Sequence, residues 1–411
     1  MRATLPFIIF VCLLLSACGI SAPQVYQAYI FVGVPADATA TPTPFQPEVF
    51  SQPVEQPTRQ MALATRTLPA LLPTLTPFAT ATEAPPQPTL AAIETPAIPI
   101  DAPETLVYLL LGADTHGGAT SFRTDSIMAV AVRPWDGQVS VISFPRDLWV
   151  NIPTVGLQRI NTAYLYGENN RYPGGGSALL KDTMLNNFGL EIQQAALVDF
   201  DGFRRVVDTL GGIEVPIACP YTDWRLISPD LNPHIRGNWA LYTAGPGLVQ
   251  MDGDLALWYA RSRQKSNDFD RGRRQQEVLR ALFKKTISTN TLTSLPQLYS
   301  DLNDSIKTDV GLTDVLALAP LALQMNNADI RSYYISSDMV TDWITPGGAY
   351  VLLPHTEFIQ AMLTEALSAS EVQEERQVFS IEVQNGSTYD GWDTLAAERL
   401  NYAGFQTSIT S

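Results

Sequence analysis

From Leu106 onward the chain alternates between short apolar runs and longer stretches in which apolar residues recur every three or four positions. The short runs predict strands at 106–111, 126–132, 138–143, 194–199 and 213–217, and the longer period predicts helices at 176–188, 201–210, 252–260 and 269–287. After Pro296 the pattern predicts helices at 312–325 and 355–368 around a strand at 330–335. The closing stretch "VFSIEVQNGSTYDGWDTLAAERLNYAGFQ" reads as strand, Asn-Gly turn and amphipathic helix. This mixture implies an α/β domain in which helices pack on a mixed β-sheet.

Upstream of Leu106 no such period survives. Between Pro35 and Pro103 stand fifteen of the 30 prolines, interleaved with Thr, Ala and Gln, so residues 19–104 are expected to form an extended, disordered tether. Ahead of it, Arg2, the apolar run Leu5 to Leu15 and then Leu15-Ser16-Ala17-Cys18 resemble a bacterial lipoprotein signal peptide over residues 1–18. The run is too short to span a membrane comfortably. Lipidation of Cys18 is therefore expected, giving an extracytoplasmic protein anchored to the cell membrane as a lipoprotein; an uncleaved anchor would leave the rest of the chain outside the cytoplasm as well. Cys12 falls in the signal and Cys18 would carry lipid, which leaves Cys219 alone and excludes an internal disulfide or a cysteine metal site.

The spacing of the first strands places charge. Arg133-Pro134-Trp135-Asp136-Gly137 separates two apolar runs, and its Asp-Gly signals a tight antiparallel hairpin. If 106–111 also runs antiparallel to 126–132, one edge of the sheet collects Asp114, Arg123, Asp125, Arg146 and Asp147. Five charges at the ends of apolar strands cannot point into a core, so they are solvated or face one another and a ligand.

A second cluster favours the ligand. Although the net charge is −15, the segment "YARSRQKSNDFDRGRRQQEVLRALFKK" holds nine basic residues and three acidic ones. A local basic patch on an acidic protein indicates an anionic ligand rather than nucleic acid, which needs broader positive charge. A helix from about Phe269 would put Arg271, Arg274 and Gln275 on one face, with Arg273 about 100° away. Arginines in a first helical turn offer paired donors to phosphate oxygens, and Arg261 and Arg263 could join them from an extended segment. Two carboxylates with several arginines suit a pyrophosphate accompanied by a hard divalent cation.

The segments "LLLGAD", "RTDSIM", "SFPRD", "RINTAY", "VDFDGFRRVVDTLGGIEV", "MDGDLALWYARSR" and "DFDRGRRQQ" resemble, in order, the motifs of the LytR–CpsA–Psr family of cell-envelope glycopolymer ligases. "IEVQNGSTYDGWDTLAAERLNYAGF" resembles the start of a LytR C-terminal domain, of which only a first strand and helix are expected. The resemblance implies an α-β-α sandwich with an apolar lipid tunnel, divided into a catalytic domain at 105–290, a helical extension at 291–370 and a partial β-α segment at 371–411. It also implies a Mg2+-dependent phosphotransferase that moves a phosphoglycan from a polyprenyl-pyrophosphate carrier to a hydroxyl of peptidoglycan or another envelope acceptor. Asp114 and Asp125 would be the metal ligands. Arg123, Arg146, Arg261, Arg263, Arg271 and Arg274 would clamp the pyrophosphate, with Gln275 and Asn161 in support.

His116 stands where the family often has arginine, and Asp114, Asp147 and Asp268 all qualify by residue type as the base. A lipid-binding protein without turnover and a metal-dependent pyrophosphohydrolase are the competing readings, and the residues alone do not separate transfer from hydrolysis.

Overall fold

The computed structural model describes residues 28–31, 105–114, 123–228, 230–262, 268–288, 299–300, 306–325, 329–368 and 380–410. They belong to one compact unit made of residues 1–33 and 92–411; a second unit, 34–91, lies outside the described residues. Cys18, His116 and Arg263 lie outside them too, as do the rest of the signal peptide and most of the tether.

Strand β1 (Ala28–Phe31) is followed by β2 (Leu106–Ala113), β3 (Thr124–Arg133) and β4 (Gln138–Phe144), then by a small hairpin of β5 (Trp149–Ile152) and β6 (Gly156–Arg159). Helices α1 (Ala163–Asn169) and α2 (Gly175–Phe188) precede β7 (Gln194–Val198), α3 (Phe200–Thr209) and β8 (Ile213–Ile217). Next come β9 (Tyr221–Leu226), β10 (Trp239–Ala244), β11 (Gly247–Met251), α4 (Gly253–Arg261) and α5 (Asp268–Ser288). The chain continues through β12 (Ile306–Thr308), α6 (Leu312–Gln324), β13 (Ile330–Tyr334), β14 (Val340–Ile344), β15 (Tyr350–Pro354) and α7 (Thr356–Leu367). It closes with β16 (Ser380–Gln384), α8 (Trp392–Tyr402) and β17 (Gln406–Thr410).

Every strand and helix expected from periodicity forms, with ends displaced by at most two residues. The main sheet has the order β12-β7-β2-β3-β4-β13, mixed in direction: β2–β3 and β3–β4 are antiparallel, and β2–β7 and β4–β13 parallel. Gly137 closes the β3–β4 hairpin with φ +74°, a conformation glycine adopts without strain. Val107, Leu109 and Leu111 alternate onto one face, at most 2% exposed, against Leu179, Leu180 and Met184 of α2 and Ile359 and Leu363 of α7. The other face carries Tyr108, Met128 and Val130 beneath Leu279 and Phe283 of α5 and Leu318 and Leu321 of α6, all only partly buried. Helices thus cover both faces of a mixed sheet, the expected α-β-α sandwich.

Three expectations change. Residues 291–370 are not only helical: β12 and β13 form the two edges of the main sheet, and β14–β15 add a hairpin. The strand at β13 is the one expected at 330–335, whereas β12, β14 and β15 are short and take their partners from elsewhere, so local pattern does not reveal them. The chain's last segment is not a single strand and helix, because β17 follows α8 and pairs parallel with β16. The tether does not run unbroken from residue 19 either. Residues 28–31, ahead of the proline-rich run that begins at Pro35, pair parallel with β16 through a β-branched and aromatic run suited to a strand. Helix α8 is tied to α5 by Lys284–Glu398 (2.6 Å) and Arg399–Glu277, and the Arg280 guanidinium lies 4.8 Å from the Tyr402 ring centre.

Candidate functional site

The β2–β3 ladder ends in a bulge. Gly112 is paired with Ser126 but Ala113 with Thr124, so Asp125 is the extra residue. A bulge re-aims the side chains around it. Here Thr124 and Ile127 go into the core at 0% and 1% exposure, while Asp125 and Ser126 both stay outside it. Gly112 permits the close approach of the two strands: a Cβ there would stand 3.0 Å from the Ser126 Cβ. Beyond the bulge, the Asp114 amide donates to the Arg123 carbonyl (3.1 Å) and the Arg123 amide to Asp114 Oδ1 (2.8 Å), which fixes the exposed Asp114 at the strand end.

The Asp125 carboxylate accepts from Arg146 Nη1 (2.7 Å) and from Asn161 Nδ2 (3.2 Å), and the Asp125 carbonyl accepts from Arg271 (3.2 Å). Asn161 is 1% exposed, and its Oδ1 has no hydrogen-bond partner among the described residues. Arg146, in the turn after β4, also lies 3.4 Å from both Asp147 and Asp268. Burial disfavours its charge, but Asp125, Asp147 and Asp268 together outweigh that and raise its pKa. Asp147 is pushed up by burial, a shift opposed by Arg146 and by Arg159, which sits 3.1 Å from its carboxylate. Arg271 is 5% exposed and pairs with Asp268 at 3.2 Å; burial lowers its pKa. These groups line or border a shallow cleft bounded by Asp125, Ser143, Pro145, Asp268, Arg271 and Gln275.

The structure separates two arginines that the helical pattern put together. Arg271, Gln275, Leu279 and Phe283 are spaced four apart and form one stripe of α5, the first two at the cleft and the last two on the half-buried sheet face. Arg274 instead belongs to the stripe of Val278, Ala281 and Leu282, which packs against α4 and β8. Its guanidinium is fully buried, donates to the carbonyls of Tyr259 and Ser262, and lies 4.0 Å from the Tyr221 ring centre. This corrects the expectation that Arg274 lines the phosphate clamp. The last carbonyls of a helix need donors. Arg274 and Gln275, which donates to the Ala260 carbonyl (3.3 Å), supply them to α4 and so hold the chain around Arg261.

Arg261 ends α4 with its guanidinium 4.4 Å from the Phe200 ring centre. Burial lowers its pKa, and the charges of Asp114 and Asp125 act against that shift. Gln275 Oε1 also accepts from Ser126 (3.1 Å), which joins α5 to the bulged strand. Asp114, Asp125, Arg146, Asn161, Arg261, Arg271 and Gln275 are therefore brought to one sheet edge, with Arg123 at its exposed rim and Arg274 behind it.

Sequence reasoning missed Arg159 and Ser126. Arg159 sits in "RINTAY", two residues before Asn161, and donates to the Tyr350 carbonyl (2.6 Å) as well as pairing with Asp147. The β5–β6 hairpin that aims it has no strong turn dipeptide to announce it.

Among the described residues no group of three or more His, Cys, Asp and Glu side chains is placed to hold a metal. Magnesium is commonly bound by one or two carboxylates together with substrate phosphates rather than by a full protein cage, and Asp114 and Asp125 are donors of that type.

Fold and cleft together define an α-β-α protein with a cleft at one sheet edge where guanidiniums and carboxylates meet. The chain matches the LytR_cpsA_psr family over residues 81–368 and belongs to that family. It is 28% identical over 221 residues to TagU of Enterococcus faecalis, named a polyisoprenyl-teichoic acid–peptidoglycan teichoic acid transferase, a match covering 53% of this chain and 65% of TagU. It is 32% identical over 213 residues to MsrR of Staphylococcus aureus, named a regulatory protein, covering 52% of this chain and 58% of MsrR. The matched stretch thus spans less than two thirds of these relatives. The fold is similar to that of B. subtilis TagV, with a TM-score of 0.52 and 24% identity over 64% of this chain and 97% of TagV.

Proposed function

We propose that the protein is an extracytoplasmic phosphotransferase that moves a phosphoglycan from a polyprenyl-pyrophosphate carrier to a sugar hydroxyl of peptidoglycan or another envelope polymer. The observation that carries this reading is the Arg271–Gln275–Leu279–Phe283 stripe. One helix face offers a guanidinium at the cleft and, about 12–18 Å further along at 1.5 Å per residue, apolar side chains over a half-buried sheet face. That is the polarity profile of a lipid pyrophosphate, with the isoprenoid chain along the sheet face and the phosphates at the strand edge. The relative named a teichoic acid transferase supports the same class of reaction.

The acceptor hydroxyl would attack the phosphorus that carries the glycan. An oxygen–phosphorus bond forms to the acceptor, the bond to the bridging oxygen breaks, and polyprenyl monophosphate leaves. The hydroxyl proton goes to Asp147 or Asp268, the two carboxylates beside Arg146 that are not assigned to a cation. Arg146, Arg261 and Arg271 neutralise charge on the phosphates, a reaction that asks the protein for positioning more than covalent chemistry. Asp114 and Asp125 would hold magnesium, which when bound withdraws charge from the leaving phosphate. The carboxylates Asp114, Asp125, Asp147 and Asp268 balance the guanidiniums Arg146, Arg159, Arg261 and Arg271, so a divalent cation would leave an excess of about two positive charges, matching a pyrophosphate diester.

The test combines full-length protein in detergent with a polyprenyl-pyrophosphoryl sugar, with and without peptidoglycan fragments and magnesium. Polyprenyl monophosphate together with an acceptor bearing the sugar phosphate is the expected product pair. Free sugar phosphate in place of the modified acceptor would make the protein a hydrolase, and saturable binding without turnover a lipid-binding protein.

The membrane anchor proposed with this function is the lipid on Cys18. Among the described residues no helix is long and apolar enough to cross a membrane. Intact-mass analysis of membrane fractions should find a chain starting at Cys18 with added acyl mass; a chain starting at Met1 would exclude lipidation.

A further inference from the structure

The β9–β10 hairpin has two unlike faces. Its register places Tyr221, Asp223, Arg225, Ala240, Tyr242 and Ala244 on one, and the cross-strand pairs Thr222–Thr243, Trp224–Leu241 and Leu226–Trp239 on the other. The first packs inward: Asp223 and Ala244 are buried, the Tyr221 and Tyr242 ring centres stand 5.7 and 5.2 Å from that of Trp258, and Arg225 covers the Tyr242 ring at 5.0 Å. On the second, the Thr222 and Thr243 hydroxyls meet at 2.8 Å, and Leu241 is 52% exposed. Trp239 donates its indole N–H to the Pro233 carbonyl (2.9 Å), so the rest of its ring offers hydrocarbon. The ladder continues through the Ile227 amide to the Asn238 carbonyl (2.9 Å), into a tip where Ile227 and Ile235 are 64% and 54% exposed. Among the described residues the core clusters include none of Trp224, Leu226, Trp239 and Leu241.

We propose that this outer face and its tip form a membrane contact that seats in the headgroup layer of an anionic bilayer while the cleft works on its lipid donor. The composition fits that occupant. Tryptophan with aliphatic neighbours is the makeup of a segment lying at the boundary of headgroups and acyl chains, about 5–10 Å deep. The face itself carries no charge, and the unburied charges between Tyr221 and Ala244 are two guanidiniums, Arg225 and Arg236, against one carboxylate, Asp230. That is a local positive excess on a chain of net charge −15, and anionic lipids attract it. A glycan is a poorer occupant, because the two threonine hydroxyls bond to each other and the Trp239 N–H is already satisfied, leaving little to hold a rim of sugar hydroxyls. The hairpin is joined to the clamp as well. Trp258, whose indole donates to the Trp224 carbonyl (2.9 Å), lies in the last turn of α4, one turn before Arg261. The Tyr221 ring receives the Arg274 guanidinium that holds this helix end. A bilayer gripped by the hairpin is therefore gripped close to a group that neutralises the lipid's phosphates.

The contact takes its purpose from the transferase reading, but its depth in the bilayer is measured without turnover. Full-length protein is reconstituted in vesicles of phosphatidylethanolamine and phosphatidylglycerol whose acyl chains carry bromine, a short-range quencher of tryptophan fluorescence. The readout is the depth of the hairpin, so it does not depend on how the N-terminus is held. Wild type should be quenched, and replacing both Trp224→Phe and Trp239→Phe should remove most of that quenching. Ile235→Asp combined with Leu241→Asp should lower it to the same level, with an unchanged melting temperature because both positions are exposed. Leu241→Asp alone covers the case in which the double variant does not fold. With donor embedded in the vesicles the double variant's KM should rise about tenfold, whereas a water-soluble short-chain donor should be used within about twofold of wild type. Equal quenching of wild type and a folded aspartate variant, quenching that survives loss of both tryptophans, or equal losses for embedded and soluble donors would each overturn the contact. So would a wild type that is dimeric in detergent and becomes monomeric with Ile235→Asp and Leu241→Asp, or one whose binding of soluble peptidoglycan fragments is lost with them; these results would make the face a subunit interface or a glycan surface. Hairpin-dependent quenching in a protein that performs no transfer would sink the transferase reading and leave the membrane contact standing.

Discussion

Asp125→Asn should lower the rate of polyprenyl monophosphate release by about 10²–10³-fold, the scale seen when one preorganised electrostatic group is removed from a site, and should abolish its dependence on magnesium. The fold should survive, for a reason found in the hydrogen bonds. Asp125 accepts from Arg146 on one oxygen and from Asn161 on the other. An asparagine can still accept from Arg146 through its oxygen, but its amide nitrogen would then face the Asn161 amide. The Asn161 Oδ1 has no partner among the described residues, so a flip of that side chain turns the clash into a hydrogen bond. Arg146 keeps Asp147 and Asp268 as neighbours and is not left as an uncompensated buried charge. Melting temperature should therefore change by less than the few degrees that correspond to about 1 kcal/mol in a domain of this size, while turnover collapses. Full activity with wild-type magnesium dependence would remove Asp125 from the metal site.

Arg274→Ala should destabilise the protein by about 3–5 kcal/mol, the usual cost of deleting one side of a fully buried charged network. For a domain of this size the melting temperature should fall on the order of 10 °C. The alanine leaves the carbonyls of Tyr259 and Ser262 buried without that donor and opens a space against the Tyr221 ring. Lysine should not rescue, because a single ammonium cannot reproduce a planar fork that bonds two carbonyls while stacking on an aromatic face. Arg273, one residue earlier, is the control. Its side chain is 44% exposed and pairs with Asp270 (2.6 Å) and Glu277 (2.7 Å), and Glu277 keeps Arg399 and the Tyr259 hydroxyl when Arg273 is removed. Arg273→Ala should cost about 0–1 kcal/mol after solvent screening. Equal melting temperatures for the two variants would show that Arg274 does not support the end of α4. Donor binding in Arg274→Ala should weaken only as far as Arg261 loses its place, so the loss should be reversed by conditions that stabilise the fold.

Hydrophobic period and turn chemistry determined the elements of the main domain, because a strand repeats every two residues and a helix every 3.6 wherever the chain is packed. The same reasoning brought Asp114, Asp125 and Arg146 to one sheet edge, since an Asp-Gly hairpin with antiparallel neighbours leaves those ends no other position. Tertiary structure decided the rest. Arg271 and Arg274 are three residues apart and about 60° around the helix, close enough to share a stripe in the sequence. Which of them meets the cleft depended on the placement of α4, whose unfilled carbonyls lie beside Arg274. The bulge at Asp125 came from a register that only the paired strand imposes, and the hairpins carrying Arg159 and Tyr350 came from partners remote in sequence. A period reports that a side chain is turned inward. It cannot report what waits there, because the carbonyl, carboxylate or ring that receives it is contributed by chain far away.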